Sequence, residues 1–304
     1  MPRRIPAPAV LVPVLLAGLV STGCGGGDDT ATTTPSASTS PSASSVDAAL
    51  AAKVPDAIKS DGKITVGTDA SYAPSEFLDA DGKTVKGFDV DLFNAVAAKL
   101  GLTVDWQPST FGTIIPGIGS GKYEVGVSSF TINADRLKQV NMVSYFSAGT
   151  QWATRKGNPD GADPENACGK AVAVQKDTVQ VDDLTARSKK CTGAGKPAIT
   201  IDQYQGQDQA TASVVSGKDI AMLADSPVDA YAVQQTNGQL ELLGEIYDSA
   251  PYGYVVAKDQ TALAEALQGA LEKIIADGSY AAALKTWGVD QGAITDPAVN
   301  PSGS

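Results

Sequence analysis

Apolar residues recur along this chain with two different periods that take turns. Short β-rich runs end in polar residues: KITVGT from Lys63, LTVDW from Leu102, YEVGVSS from Tyr123, CGKAVAVQKDT from Cys168 and DIAMLAD from Asp219. Between and after them lie segments with helical spacing. Phe93, Val96, Ala97 and Leu100 share one face of the segment 88–100, which stops at Gly101, a favourable helix end. The stretch 113–118 reads as a short helix. In 263–278 the residues Leu267, Leu271, Ile274 and Ile275 mark a buried face, and a second short helix runs on through Trp287. Strands alternating with helices predict an α/β fold with mostly parallel strands.

A weak internal echo refines this picture. DGKITVGTD, from Asp61, is similar to CGKAVAVQKDT. Gly119-Ser120-Gly121-Lys122 precedes one strand, and Ser216-Gly217-Lys218 precedes another. Such turns are common enough to recur by chance. The alternative is a pair of similar α/β lobes in succession. Ligands of open α/β sheets bind at the carboxyl ends of the strands. Four strands here end at Asp69, at Ser128 and Ser129, at Thr178 and at Asp225, so two facing lobes would bring these residues to one cleft.

The chain's first residues follow neither period. Arg3 and Arg4 precede an apolar run over 10–20 and the small-residue end Ser21-Thr22-Gly23-Cys24. The run is too short to span a bilayer, which needs about 20 apolar residues, and it reads as an export signal. A plain secretory signal would leave Cys24 unmodified. We favour a lipoprotein signal, because STGC is similar to a lipobox in which the cysteine is lipidated, although Ser21 stands where leucine is usual. Residues 24–54 are almost all Gly, Ser, Thr, Ala, Pro and Asp at first, and read as a disordered tether. The folded part is expected over about 55–296, followed by a tail over 297–304.

Composition excludes several functions. Among 304 residues there is no histidine, which rules out a Ser-His-Asp triad and a histidine-based zinc site. We expect no metal and no cofactor. The formal charge is −11, and removal of Arg3 and Arg4 with the signal takes it to −13, so nucleic acid is not an expected partner. With Cys24 taken by lipid, Cys168 and Cys191 remain. In an oxidising compartment they most simply form a disulfide, contributing about 3 kcal/mol; two buried free thiols are the alternative.

The stretch VGVSSFTINADR, 125–136, carries the chemistry. Asn133 is a good N-cap, with Arg136 in the first helical turn. An arginine there opposes the positive end of the helix dipole unless an anion sits nearby. Its planar fork suits a carboxylate, and the hydroxyls of Ser129 and Thr131 can complete an anion site. A surface arginine paired with Asp135 explains the same pattern. Asp225 tips the balance, because an acid at the end of the apolar strand IAMLA needs a partner. Guanidinium and carboxylate from different lobes complement the α-carboxylate and α-ammonium of an amino acid. Tyr72 and Phe111 are candidate aromatic walls.

These segments resemble the polar amino-acid-binding proteins of ABC importers, relatives of the lysine/arginine/ornithine-, histidine- and glutamine-binding proteins. VGTDASYAPSEF, DGKTVKGFDVDLFNAVAAKLG, FGTIIPGIGSGKYEVGVSSFTINADR, VAVQKDT and DIAMLADSPV match the family pattern in family order. The resemblance implies a two-lobed periplasmic-binding-protein type II clamshell, with lobe 1 at 55–148 and 250–296, lobe 2 at 149–249, and crossovers near 148–150 and 248–252. It implies that Arg136 holds the α-carboxylate, joined by Ser129, Thr131, Thr178 and the Val179 N–H, and that Asp225 holds the α-ammonium. Tyr72 and Phe111 would sandwich the side chain, and Asp69, Glu76, Ser128 and Gln175 would read its polar end. The chain departs from the family at Asp177, where glycine is usual, and at Ser75, where phenylalanine is frequent, which would open one wall. The expected function is capture of a free basic or polar amino acid by a monomeric, lipid-anchored receptor that delivers it to an ABC permease at the membrane. The rival is a cyclohexadienyl dehydratase-like enzyme on the same fold, which would need Glu76, Asp69 or a lysine as proton donor.

Overall fold

The computed structural model describes residues 45–302; the signal segment 1–23, Cys24 and the first part of the tether lie outside the described residues. The strands, in chain order, are β1 (Lys63–Thr68), β2 (Ser71–Tyr72), β3 (Glu76–Leu78), β4 (Val85–Lys86), β5 (Thr103–Pro108), β6 (Val125–Gly126), β7 (Val140–Arg155), β8 (Ala171–Gln175), β9 (Thr200–Tyr204), β10 (Ala221–Asp225) and β11 (Leu240–Ala257). β2, β3 and β4 form a small antiparallel sheet. The others form one sheet in the order β5-β1-β6-β11-β7-β10-β8-β9.

The two ends of this sheet are parallel. β1 lies between β5 and β6, and β8 lies between β9 and β10. The middle is an antiparallel pair of long strands, β7 and β11. β6 pairs with the Val255–Val256 end of β11, and β10 pairs with Thr150–Thr154 of β7. The long pair therefore belongs to both halves, and the chain passes between them twice, giving a two-lobed α/β clamshell. The register of the pair breaks between Leu243 and Tyr247 and again between Tyr247 and Ala250, and Asp248 adopts φ +50° there. The two echoing segment pairs hold equivalent places: β1 and β8 are the central strands of their halves, and β6 and β10 adjoin the long pair.

Each half has its own apolar core. Phe88, Phe93, Val96, Tyr254, Leu267 and Leu271 pack together in the first. Trp152, Val172, Val174, Leu184 and Leu223 pack in the second. The helix Phe88–Lys99 can start where it does because Gly87 has φ +139°, and a Cβ there would collide with the Ser75 carbonyl. Cys168 and Cys191 form a disulfide, with Cα atoms 5.5 Å apart, tying the approach to β8 to the end of the helix Val179–Gly193.

The ends of the fold differ from the sequence reading. Order begins before residue 55: Asp47 caps the helix Ala48–Ala51, its N–H donates to the Lys99 carbonyl (2.8 Å), and Val54 is buried. The compositional break lies at Ser45, where Ser and Thr give way to an alanine-rich run able to form a helix. The tail also docks. Asn300 donates its N–H to the Met142 carbonyl and accepts the Met142 N–H on its side chain (2.7 and 2.8 Å). Ile275 is only half-buried. Of YEVGVSS only Val125–Gly126 is regular strand, because Ser129 turns into the left-handed region at φ +49°.

Candidate functional site

The carboxyl ends of β1, β6, β8 and β10 meet at one narrow cavity. Asp69 and Tyr72 approach from the β1 side, Phe111 from the helix Phe111–Gly119, and Ser128, Ser129, Thr131 and Arg136 from the segment after β6. The other half contributes Gln175, Thr178, Val179, Gln180 and Asp225.

Arg136 owes its position to a short local fold. Asn133 caps the helix Ala134–Gln139 by accepting the Arg136 N–H (2.9 Å). The guanidinium donates through Nη1 to the Thr131 carbonyl (2.8 Å) and lies over the rings of Phe111 and Phe130, 5.2 and 5.5 Å from their centres. Those rings stack on each other at 4.7 Å. Burial pushes the Arg136 pKa down to about 10, against the pull of Asp225, so the group stays charged at neutral pH. Among the described residues the remaining donors of the fork have no protein partner and can take an anion. Across the cavity, Thr178 and Val179 begin the helix Val179–Gly193, whose first N–H groups form a second anion-favouring surface.

Asp225 ends β10 and is buried. One carboxylate oxygen accepts the Tyr72 hydroxyl (3.0 Å) and the other accepts the Gln180 amide (2.8 Å). Tyr72 in turn accepts the Asp225 N–H (3.1 Å). Burial raises the carboxyl pKa, and the neighbouring hydroxyls of Tyr252 and Tyr72, the Gln180 amide and Arg136 oppose that shift. The Tyr252 hydroxyl stands beside Asp225 without a hydrogen-bond partner among the described residues. Arg136 and Asp225 thus face one cavity with opposite charges and form no ion pair with each other among the described residues.

Asp69 sits where the halves touch. It accepts Ser71 Oγ (2.6 Å), the Phe111 N–H (2.8 Å) and, from the opposite half, the Gln175 amide (3.0 Å). Burial still raises its pKa. Ser128 Oγ accepts the Asp69 N–H (3.0 Å) and donates to Glu76 (2.8 Å). Asp177, at the usual glycine position, adopts φ +66°, and its carboxylate covers Gly112 of the other half, so that a side chain there would have to displace it.

Two expectations about the cavity wall need correction. Glu76 does not line it: the side chain is fully buried behind Ser128, because β3 turns it toward the helix Phe88–Lys99. Ser75 is likewise buried, against the tight turn at Gly87, and opens no wall. Two roles escaped the sequence reading. Gln180 is a polar residue inside a helix, and no spacing marks it out. The hydroxyl of Tyr72 bonds Asp225 across the cleft, beyond the wall contact that an aromatic suggests. Among the described residues, no group of three or more His, Cys, Asp or Glu side chains could hold a metal ion.

Fold and cleft together define a two-lobed solute-binding protein. The chain belongs to the bacterial extracellular solute-binding proteins, family 3, which it matches over residues 64–290. The arginine-binding protein ArgT of Corynebacterium glutamicum is 35% identical over 250 residues, covering 82% of each chain. An ancestral arginine-binding protein solved with arginine superposes with a TM-score of 0.69 at 33% identity, over 74% of this chain and 98% of its own. The structure of an ancestral arginine-binding protein solved with glutamine has a TM-score of 0.68, also at 33% identity, over 75% of this chain and 98% of its own. These relatives are named as binding proteins rather than enzymes.

Proposed function

We propose that this chain captures a basic or polar neutral amino acid outside the cytoplasm and delivers it to an ABC permease. Arg136 holds the α-carboxylate, with Ser129, Thr131, Thr178 and the Val179 N–H around it. Asp225 holds the α-ammonium. Phe111 and Tyr72 flank the side chain, and Asp69, Ser128 and Gln175 meet its polar end. The observation that carries this reading is a guanidinium and a carboxylate, from opposite halves, lining one narrow cavity without neutralising each other directly. Lobe 1 is taken as 55–148 with 250–296, extended by the docked ends, and lobe 2 as 149–249. The irregular stretch around Asp248 absorbs the rotation between them. Lipidation at Cys24 tethers the receptor, which works as a monomer. Micromolar affinity requires about 8 kcal/mol net, within reach of a forked arginine and a paired ammonium in a dry cleft.

A thermal-shift screen of the proteinogenic amino acids on the mature protein tests this. A ligand at 100 times its Kd adds about 2.7 kcal/mol of stability, so arginine, lysine or glutamine raises the melting temperature. If no amino acid does so, or dicarboxylic ones alone, the reading fails. Asp69→Asn keeps the hydrogen-bonding shape but removes the charge at the side-chain end. Arginine and lysine should then lose affinity relative to glutamine by roughly tenfold, the equivalent of about 1.4 kcal/mol. Competition binding of the three ligands measures it, and an unchanged ranking removes Asp69 from side-chain recognition.

A further inference from the structure

Directly behind the cleft lies an acid pair with no cation beside it among the described residues. Glu76 on β3 and Asp89 in the first turn of the helix Phe88–Lys99 are both fully buried and stand within hydrogen-bonding reach of each other. Glu76 Oε2 and Asp89 Oδ1 have no hydrogen-bond partner among the described residues. The remaining two oxygens are engaged. Glu76 accepts the Ser128 hydroxyl (2.8 Å). Asp89 Oδ2 accepts the Tyr145 hydroxyl (2.5 Å), the Ser129 N–H (3.1 Å) and the Ser129 hydroxyl (3.4 Å).

We propose that Glu76 and Asp89 share one proton, and that this proton-bridged pair positions Ser128 and Ser129 at the floor of the ligand cleft. Two adjacent buried carboxylates cannot both ionise without a compensating charge. The titratable groups facing them are further acids: Asp69, and the phenols of Tyr145, Tyr254 and Tyr280. One proton between the two orphan oxygens satisfies both and leaves a single negative charge. The donors decide where that proton rests. Asp89 receives Tyr145 and two groups of Ser129, which favour its ionised form, whereas Glu76 receives Ser128 alone. Glu76 therefore holds the proton and donates it to Asp89.

The bridge matters because both serines hang from it. Ser129 is held at φ +49°, a conformation unusual for a residue other than glycine, by the Asp89 carboxylate bonded to its N–H and hydroxyl. Ser128, bonded to Glu76, in turn fixes the Asp69 N–H. Losing the proton places two like charges in contact beneath both residues and adds negative charge under the α-carboxylate end of the cleft. Burial raises both carboxyls, Asp89 to about 6 and Glu76 well above the usual carboxylate range. A raised carboxyl stabilises the folded arrangement below its unfolded pKa, and this contribution is lost as pH rises through the folded value. The effect therefore lies on the alkaline side.

The role of the pair as a positioning device rests on the amino-acid-binding reading; the shared proton itself does not. NMR of the ligand-free wild type, with isotope-labelled glutamate carboxyl carbons, should show one protonated glutamate at neutral pH that is missing in Glu76→Gln. If every glutamate is ionised at neutral pH, the proposal is overturned, whether or not the variant folds. The second measurement is the affinity for glutamine from mildly acidic to alkaline pH. The ligand ammonium titrates in both proteins, so the difference between them is what counts. Wild type should lose roughly tenfold more affinity on the alkaline side than Glu76→Gln, a factor set by one unit of pKa change, because the glutamine amide supplies a fixed donor to Asp89. Superimposable profiles overturn the positioning role. So does a Glu76→Gln variant that loses arginine selectively at neutral pH, since that would make Glu76 an ionised reader of the ligand. If no amino acid binds either protein, the cleft assignment fails, and the NMR signal alone still decides the shared proton.

Discussion

Arg136→Ala lowers the affinity for every amino acid by roughly thirtyfold or more, irrespective of side chain. Removing one partner of a buried, hydrogen-bonded charge pair costs about 2–5 kcal/mol, and the lower bound corresponds to that factor. Two features place Arg136 in this range. Its guanidinium is half-buried on the stacked rings of Phe111 and Phe130, so little water remains to replace it. Among the described residues it also spends a single donor, Nη1, on the protein, at the Thr131 carbonyl. Arg136→Lys keeps the charge but loses the planar fork and the stacking, and should fall between wild type and alanine. The discriminating ligand is an amine that carries the side chain but no α-carboxylate. Its weak binding should be insensitive to Arg136→Ala. Calorimetry of both ligands on both proteins closes the cycle; equal losses for the two would show that Arg136 does not hold the carboxylate.

Much of this arrangement is legible in the sequence, and the legible parts share a cause. The strand ends, the Asn133 cap and the match between the segments around β1 and β8 all come from local constraints: side-chain period, capping chemistry and turn residues. Local constraints survive in sequence because each is satisfied within a few residues. What stayed hidden depends on packing between distant segments. Glu76 and Asp69 look equivalent as acids near a strand end. Only the turn at Gly87, which brings the helix Phe88–Lys99 against β3, sends Glu76 away from the cavity and behind Ser128. The bonds of Gln180 and Tyr72 to Asp225 span 45 and 153 residues of sequence. The folded boundary was misplaced for the opposite reason. An alanine-rich run after a Ser/Thr tract carries little pattern of its own, and what orders it is docking of Asp47 onto Lys99 and Lys273.

Asp225→Asn should separate binding from stability by moving them in opposite directions. In the binding reaction the variant loses the charge that faces the ligand ammonium, at a site where Tyr72 and Gln180 already occupy the carboxylate from the protein side. Hydrogen bonds between charged groups contribute about 1.5–3 kcal/mol net, so amino acid affinity drops by at least about tenfold. A carboxylic acid with the same side chain but no α-amino group loses nothing by comparison. The preference of wild type for the amino acid over this analogue should therefore collapse in the variant. In the ligand-free protein the same substitution removes a cost. Burial raises the pKa of Asp225 because the ionised form is poorly solvated there, and a raised carboxyl pKa is a charge that destabilises the fold above that value. An asparagine carries no charge to desolvate, and a flip of the Gln180 amide toward its new N–H keeps both hydrogen bonds, so ligand-free Asp225→Asn should melt at or above the wild-type temperature at neutral pH, and the gap should shrink as the pH falls and Asp225 itself becomes protonated. A purely structural aspartate would behave otherwise: its loss would lower the melting temperature and weaken both ligands alike. Melting curves across pH, run beside titrations with the two ligands, distinguish a carboxylate retained for its ligand from one retained for the fold.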